Sequence, residues 1–193
     1  MGVRVAAPVL AMSSLLRPEA DEYNEYYSQY TSLVPDGDIV QTLRVQMETA
    51  LELLESIPTE KQTFRYAEGK WSIREVIAHL IDTERLFAFR ALSFARGDGA
   101  ELPGMDQDEW SRCSNAHQRP IEDLADEWSA VRLATVHLFA SLDTDAGTRT
   151  GIASGNVFSV RSFPWIIAGH ELWHLGLIVR DYLHRADDME DTV

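Results

Sequence analysis

The residue pattern with the clearest chemical content is SFPWIIAGHELWHLGLIVRDYLHR, residues 162–185. His170 and His174 stand four residues apart, so on a helix both imidazoles leave the same side and can reach one metal ion. Ile166, Trp173, Leu177 and His184 share the face of His170, with His174 on its flank. Leu172, Leu175, Val179 and Leu183 cover the far side, and a helix apolar nearly all round is a buried one. Two interior imidazoles need partners. His79, on another amphipathic stretch, can complete a three-histidine set with open positions, the arrangement of catalytic zinc. Spacing alone leaves this reading open against neutral imidazoles hydrogen-bonded in a core.

The same stretch matches H-E-x-x-H, in which Glu171 would act as general base of a metalloprotease. Its context speaks against that chemistry. The extended signature needs glycine and histidine where Leu177 and Arg180 stand, and little chain follows His174 to supply another ligand. Two further charges fall inside apolar stripes, Glu84 between Leu80 and Phe87 and Arg132 between Trp128 and Phe139. Each would be costly if buried alone, so the sequence predicts a structural Glu84–Arg132 ion pair.

Four helices are needed to position these groups. The first starts at Asp38 as cap, with Gln41 three residues on as in a capping box, and carries Ile39, Leu43, Met47, Ala50, Leu51 and Leu54 to Pro58. The second opens with Ser72 and Glu75 in a capping box, has Trp71 placed to staple onto Val76, and ends at Gly97. Its stripe is Ile73, Val76, Ile77, Leu80, Phe87, Ala91 and Phe94, with His79 on the shoulder. The third follows Pro120 with Ile121, Leu124, Ala125, Trp128, Thr135, Phe139 and Leu142; the fourth is the histidine helix. Before it, residues 143–161 carry three glycines and β-branched residues, a small hairpin or ordered loop. These elements predict an all-α four-helix bundle, residues 23–186, between an N-terminal extension over 1–22 and an acidic tail over 187–193.

The link GDGAELPGMDQDEWSRCSNAHQRP is long enough to carry function. Asp106 and Trp110 could line a pocket mouth there, but ordinary loop roles are the favoured reading; Cys113 reads as a small packed hydrophobe. His137 lies opposite the third stripe, in solvent, and His184 serves the helix end.

Seventeen basic against 31 acidic residues give a formal net charge of −14, which repels nucleic-acid phosphates and anionic lipid and excludes both as partners. One cysteine allows no intrachain disulfide and suits the cytoplasm. No apolar run reaches the ~18 residues of a membrane span. The first twenty residues faintly resemble a secretory leader, but their apolar core is short and broken by Pro8. A loose extension, or a start at Met12, is the simpler expectation.

The strings GKWSIREVIAHLIDTERLFAFR, LPGMDQDEW and AGHELWH, from about Tyr26 to Leu183, resemble the DinB-like superfamily, which includes bacillithiol and mycothiol S-transferases. The resemblance implies an up-down-down-up bundle, often a homodimer, with a divalent metal (zinc or nickel) held by His79, His170 and His174. Relatives often carry two adjacent histidines at the end of this motif; here Trp173 replaces the first, a position that is not a ligand. It further implies metal-assisted transfer of a low-molecular-weight thiol to a small electrophile, in detoxification or stress. Two alternatives remain open at this point, a hydrolase using metal-activated water and a non-enzymatic dimeric stress protein.

Overall fold

A computed structural model describes residues 13–184. The leader-like residues before Met12 and the acidic tail lie outside the described residues, as does the side chain of His184.

The chain enters through a single 3₁₀ turn, Glu25–Tyr27, and a short helix α1, Ser28–Thr31. The bundle itself is α2 (Ile39–Ser56), α3 (Ile73–Ala95), α5 (Ile121–Ala140) and α7 (Ser162–Leu177), with short α4 (Gln107–Cys113) and α6 (Thr144–Thr148) in the links. Local chemistry sets the ends. Asp38 accepts hydrogen bonds from the Val40 and Gln41 amides at the start of α2. Its other oxygen takes the Ser13 amide, so this end is a plain cap and not a reciprocal box. The reciprocal box forms at α3, between Ser72 and Glu75, and α3 stops where Gly97 takes φ of +78°. The last helix departs from a single regular α-helix: over Ile178–His184 it widens into π-helical winding.

Two apolar clusters form the core, and their membership gives the helix directions. One gathers Leu43, Phe94, Phe139 and Phe163; the other gathers Leu54, Ile77, Leu124 and Ile178. α2 and α7 run from the first cluster into the second, while α3 and α5 run from the second into the first. The order is therefore up-down-down-up. α2 and α3 each pack chiefly on α5 and α7, so α2 sits across the bundle from α3, and α5 from α7. The link over 57–72 makes the first of these crossings, and the long link over 96–120 returns the chain along the bundle so that α5 can run parallel to α3.

Between the clusters lies a layer of buried polar groups, His79, Thr83, Glu84, Arg132, His170, Glu171 and His174. Residues 150–159 form an antiparallel hairpin, β1 (Thr150–Ala153) and β2 (Asn156–Ser159). Ser154 and Gly155 turn it with positive φ at both positions, the geometry that matches strand twist. Leu102 of the long link bonds back to the hairpin through Ile152 and Ser154, tying link to turn.

Candidate metal centre

His79 comes from the second turn of α3, and His170 and His174 from consecutive turns of α7, which packs against it. The three imidazoles meet in the polar layer. The Nε2 atoms of His79 and His170 lie 3.2 Å apart, and those of His170 and His174 3.1 Å apart. All three ligand atoms fall within 4.8 Å of one another. Nitrogens bound tetrahedrally to zinc at ~2.0–2.1 Å would be about 3.3 Å apart, so the spacing fits one small cation. Three nitrogens meeting head-on are hard to satisfy with hydrogen bonds among themselves, because a neutral imidazole donates from only one nitrogen.

The protonation states agree with ligation. Burial lowers the His79 pKa to about 4 and that of His174 to about 3. His170 is pushed well below the ordinary range by burial and by its two histidine neighbours. All three are neutral at pH 7, with lone pairs available for a metal. Each ring has an aromatic neighbour that fixes it: Trp71 lies 4.8 Å from His79, Tyr30 5.2 Å from His170 and Trp173 4.8 Å from His174. On the outer side of His79, Nδ1 is 3.4 Å from the Thr83 hydroxyl, an oxygen that can accept the Nδ1 proton in the tautomer that leaves Nε2 free for a metal. The residues present therefore fit a divalent ion.

The glutamate of H-E-x-x-H is elsewhere. Glu171 is buried, and its Oε2 stands 2.7 Å from Arg132 Nη2. Arg132 is 2% exposed and grips Glu84 with two bonds, Nε to Oε1 at 2.8 Å and Nη2 to Oε2 at 2.7 Å. The Trp128 indole also donates to Glu84, and Arg132 Nη1 donates to the Leu43 carbonyl. The structure thus brings Glu84 and Arg132 together as an interhelical pair and adds Glu171 as a second carboxylate. Glu171 makes a charge contact without an aligned hydrogen bond, and burial raises its pKa.

Two cavities open on the histidines. One of about 380 Å³ is lined by Tyr30, Trp71, Trp173, His174 and Tyr182, with Gln107 and Asp108 at its edge. The other, about 170 Å³, touches His79, His170, Phe87 and Arg90. Tyr26, Tyr30 and Gln107 border both. The long link does contribute to the cleft, but one step along from the residues singled out in the sequence. Asp106 instead caps α4, and Trp110 lies exposed outside both cavities.

Cys113 corrects the sequence reading. It is exposed, because α4 is a surface helix that buries none of its residues. Trp173 also departs from a buried position, being partly exposed at the rim of the larger cavity, while His137 is exposed on α5. The residues missed from sequence are the tyrosines of 26–30. Gly169 held a signal for them: a Cβ there would lie 2.1 Å from the Tyr30 carbonyl oxygen, so only glycine lets α1 lie against α7.

The model of the DinB superfamily matches residues 42–178. Among solved structures, the chain is similar to YfiT from Bacillus subtilis, described as a probable metal-dependent hydrolase with an unusual four-helix bundle topology. The two share 14% identity over 88% of this chain and 93% of that one, with a TM-score of 0.64, a likeness of fold. No curated protein matches. With the family model spanning the histidine positions and most of the bundle, this chain belongs to the DinB superfamily.

Proposed function

We propose that the protein binds one divalent ion through His79, His170 and His174 and uses it to transfer a low-molecular-weight thiol to a small electrophile. The observation that carries this reading is the placement of Glu171. The carboxylate that would activate water in an H-E-x-x-H enzyme is held by Arg132 in the core, while the three Nε2 atoms converge at the base of an aromatic cleft. An ion held there supplies Lewis acidity that lowers the pKa of a thiol, whose thiolate is the reactive nucleophile. Thiols ionise far more readily than water, so the reaction needs no neighbouring carboxylate.

The chain's own residues supply the rest. Neutral imidazoles present lone pairs without protons to displace. Trp71, Tyr30 and Trp173 fix the rings and keep water from their faces. Tyr66, Trp71 and Tyr182 give the larger cavity flat aromatic walls on which an aromatic electrophile can stack. A single cysteine places this chemistry most naturally in the reducing cytoplasm.

Hydrolysis is the second reading, favoured by the description of the structural neighbour. It would fall to Asp108, the one carboxylate among the described residues lining the two cavities. Assays of zinc- and nickel-loaded protein decide between them. Thiol conjugation to monochlorobimane is expected to proceed in wild type and Glu171→Gln and to vanish in His170→Ala. Turnover of nitrophenyl esters without thiol, lost in Asp108→Asn, would establish the hydrolase instead.

A further inference from the structure

Arg90 is the buried charge that the metal chemistry leaves unexplained. It lies on α3, is 2% exposed, and lines the smaller cavity together with His79 and His170. Its Nη2 donates to the Pro103 carbonyl at 2.7 Å and to the Ser154 hydroxyl at 3.0 Å, so the long link and the hairpin turn hold it in place. Its Nε is buried and has no partner. The Tyr27 hydroxyl is within hydrogen-bonding reach of the guanidinium, and the Phe87 ring lies 5.8 Å from its Cζ.

A buried guanidinium ordinarily faces a carboxylate, as Arg132 does twice in this same core. Arg90 has no ion-pair partner among the described residues, and no Asp or Glu lines its cavity. A purely structural arginine bracing link against hairpin would use the bonds of Nη2. It would have no use for an unsatisfied Nε–H at the wall of a cavity that reaches two of the histidines. Burial also lowers the Arg90 pKa, the mark of a charge that lacks its counter-ion.

We propose that this cavity is an anion subsite in which Arg90, assisted by Tyr27, receives a carboxylate of the substrate. The assignment rests on the reading of the histidine-lined cleft as the substrate site. One guanidinium with one hydroxyl beside it suits a planar monoanion, and gives too few donors and too little charge for a phosphate dianion. His79 and Arg90 are eleven positions apart on one helix, about 16 Å along its axis. The carboxylate is therefore carried on an arm away from the group that reacts at the histidines. This gives the site a polarity: reacting group at the α3–α7 contact, anionic tail towards the hairpin turn.

The test is calorimetric titration of the full-length zinc-loaded protein with mercaptopropionate, mercaptohexanoate and mercaptoundecanoate, each against the matching mercapto-alcohol. At least one carboxylate is expected to bind about tenfold more tightly than its alcohol. That preference should fall below about threefold in Arg90→Gln and survive in part in Arg90→Lys. Equal affinity of acid and alcohol throughout the series in wild type overturns the proposal without any variant, as does an unchanged preference in folded Arg90→Gln. If Arg90→Gln does not fold, Tyr27→Phe replaces it, with a weakened preference expected and an unchanged one counting against the subsite. Metal content of the same samples separates this from the reading beneath it. For protein that takes up no zinc, hexanoate is compared with hexanol: a preference dependent on Arg90 keeps the subsite, and its absence removes it.

Discussion

Arg132 illustrates how a single residue can organise a core without taking part in chemistry. It spans Glu84 on α3, Glu171 on α7 and the Leu43 carbonyl on α2 from its own place on α5, so all four bundle helices meet through one guanidinium. Arg132→Met leaves two buried carboxylates unpaired, and loss of about 3–5 kcal/mol of stability is expected in urea denaturation. Glu84→Gln should cost clearly less, because Arg132 retains Glu171; equal losses in the two variants would show that Glu171 contributes nothing. The Glu84–Arg132 contact was legible in the sequence because each charge stood at the centre of an apolar stripe, where an unpaired group is too costly to keep. Glu171 was harder to read. The H-E-x-x-H spelling attaches it to catalysis, and only the packing of α5 against the bundle shows that its partner is Arg132.

Short elements, more than the long helices, shape the cleft. Helix α1 contributes Tyr30, and it reaches α7 only because residue 169 has no side chain. Gly169→Ala would press a methyl group onto the Tyr30 carbonyl; a loss of roughly 1–3 kcal/mol and reduced conjugation activity are expected, read by thermal denaturation and bimane assay. Stability and activity both equal to wild type would mean that α1 does not need this close approach. Glu22 anchors the segment leading into α1: Arg161 Nε donates to Glu22 Oε2 at 2.8 Å, and this bond holds the Glu22 pKa at about 2 against an ordinary 4.5. The folded-state pKa is depressed, so the contribution is present above pH 4.5 and is lost as pH falls from 4.5 towards 2. Wild type and Glu22→Gln should therefore differ in stability near neutrality and converge over that window; a constant difference would contradict the assignment. The four long helices were readable from period and caps, since an amphipathic stripe and an S-x-x-E box are local properties. The π-helical end of α7, the helix within the long link and the approach of α1 depend on partners distant in sequence, and no periodicity records them.

At the scale of the molecule, the up-down-down-up order explains why a metal-binding set can form from only two helices and a short motif. α3 and α7 run in opposite directions through the same polar layer, so His79 in the second turn of one faces the His170 and His174 turns of the other. The apolar clusters above and below keep that layer dry on two sides, leaving the cleft under the tyrosines and tryptophans as its opening. None of the described helices is long and apolar enough to cross a membrane. The histidine triad was legible as a possibility from the i, i+4 spacing, but the convergence of the third histidine depends on how the long links route the helices, and metal binding rests on this convergence. Metal analysis of the full-length protein after zinc loading and exhaustive dialysis tests it most directly. About one equivalent per chain is expected in wild type and in Glu171→Gln, and less than about a tenth in His79→Ala, His170→Ala and His174→Ala. Full retention in folded His170→Ala, or no uptake by wild type, would contradict it.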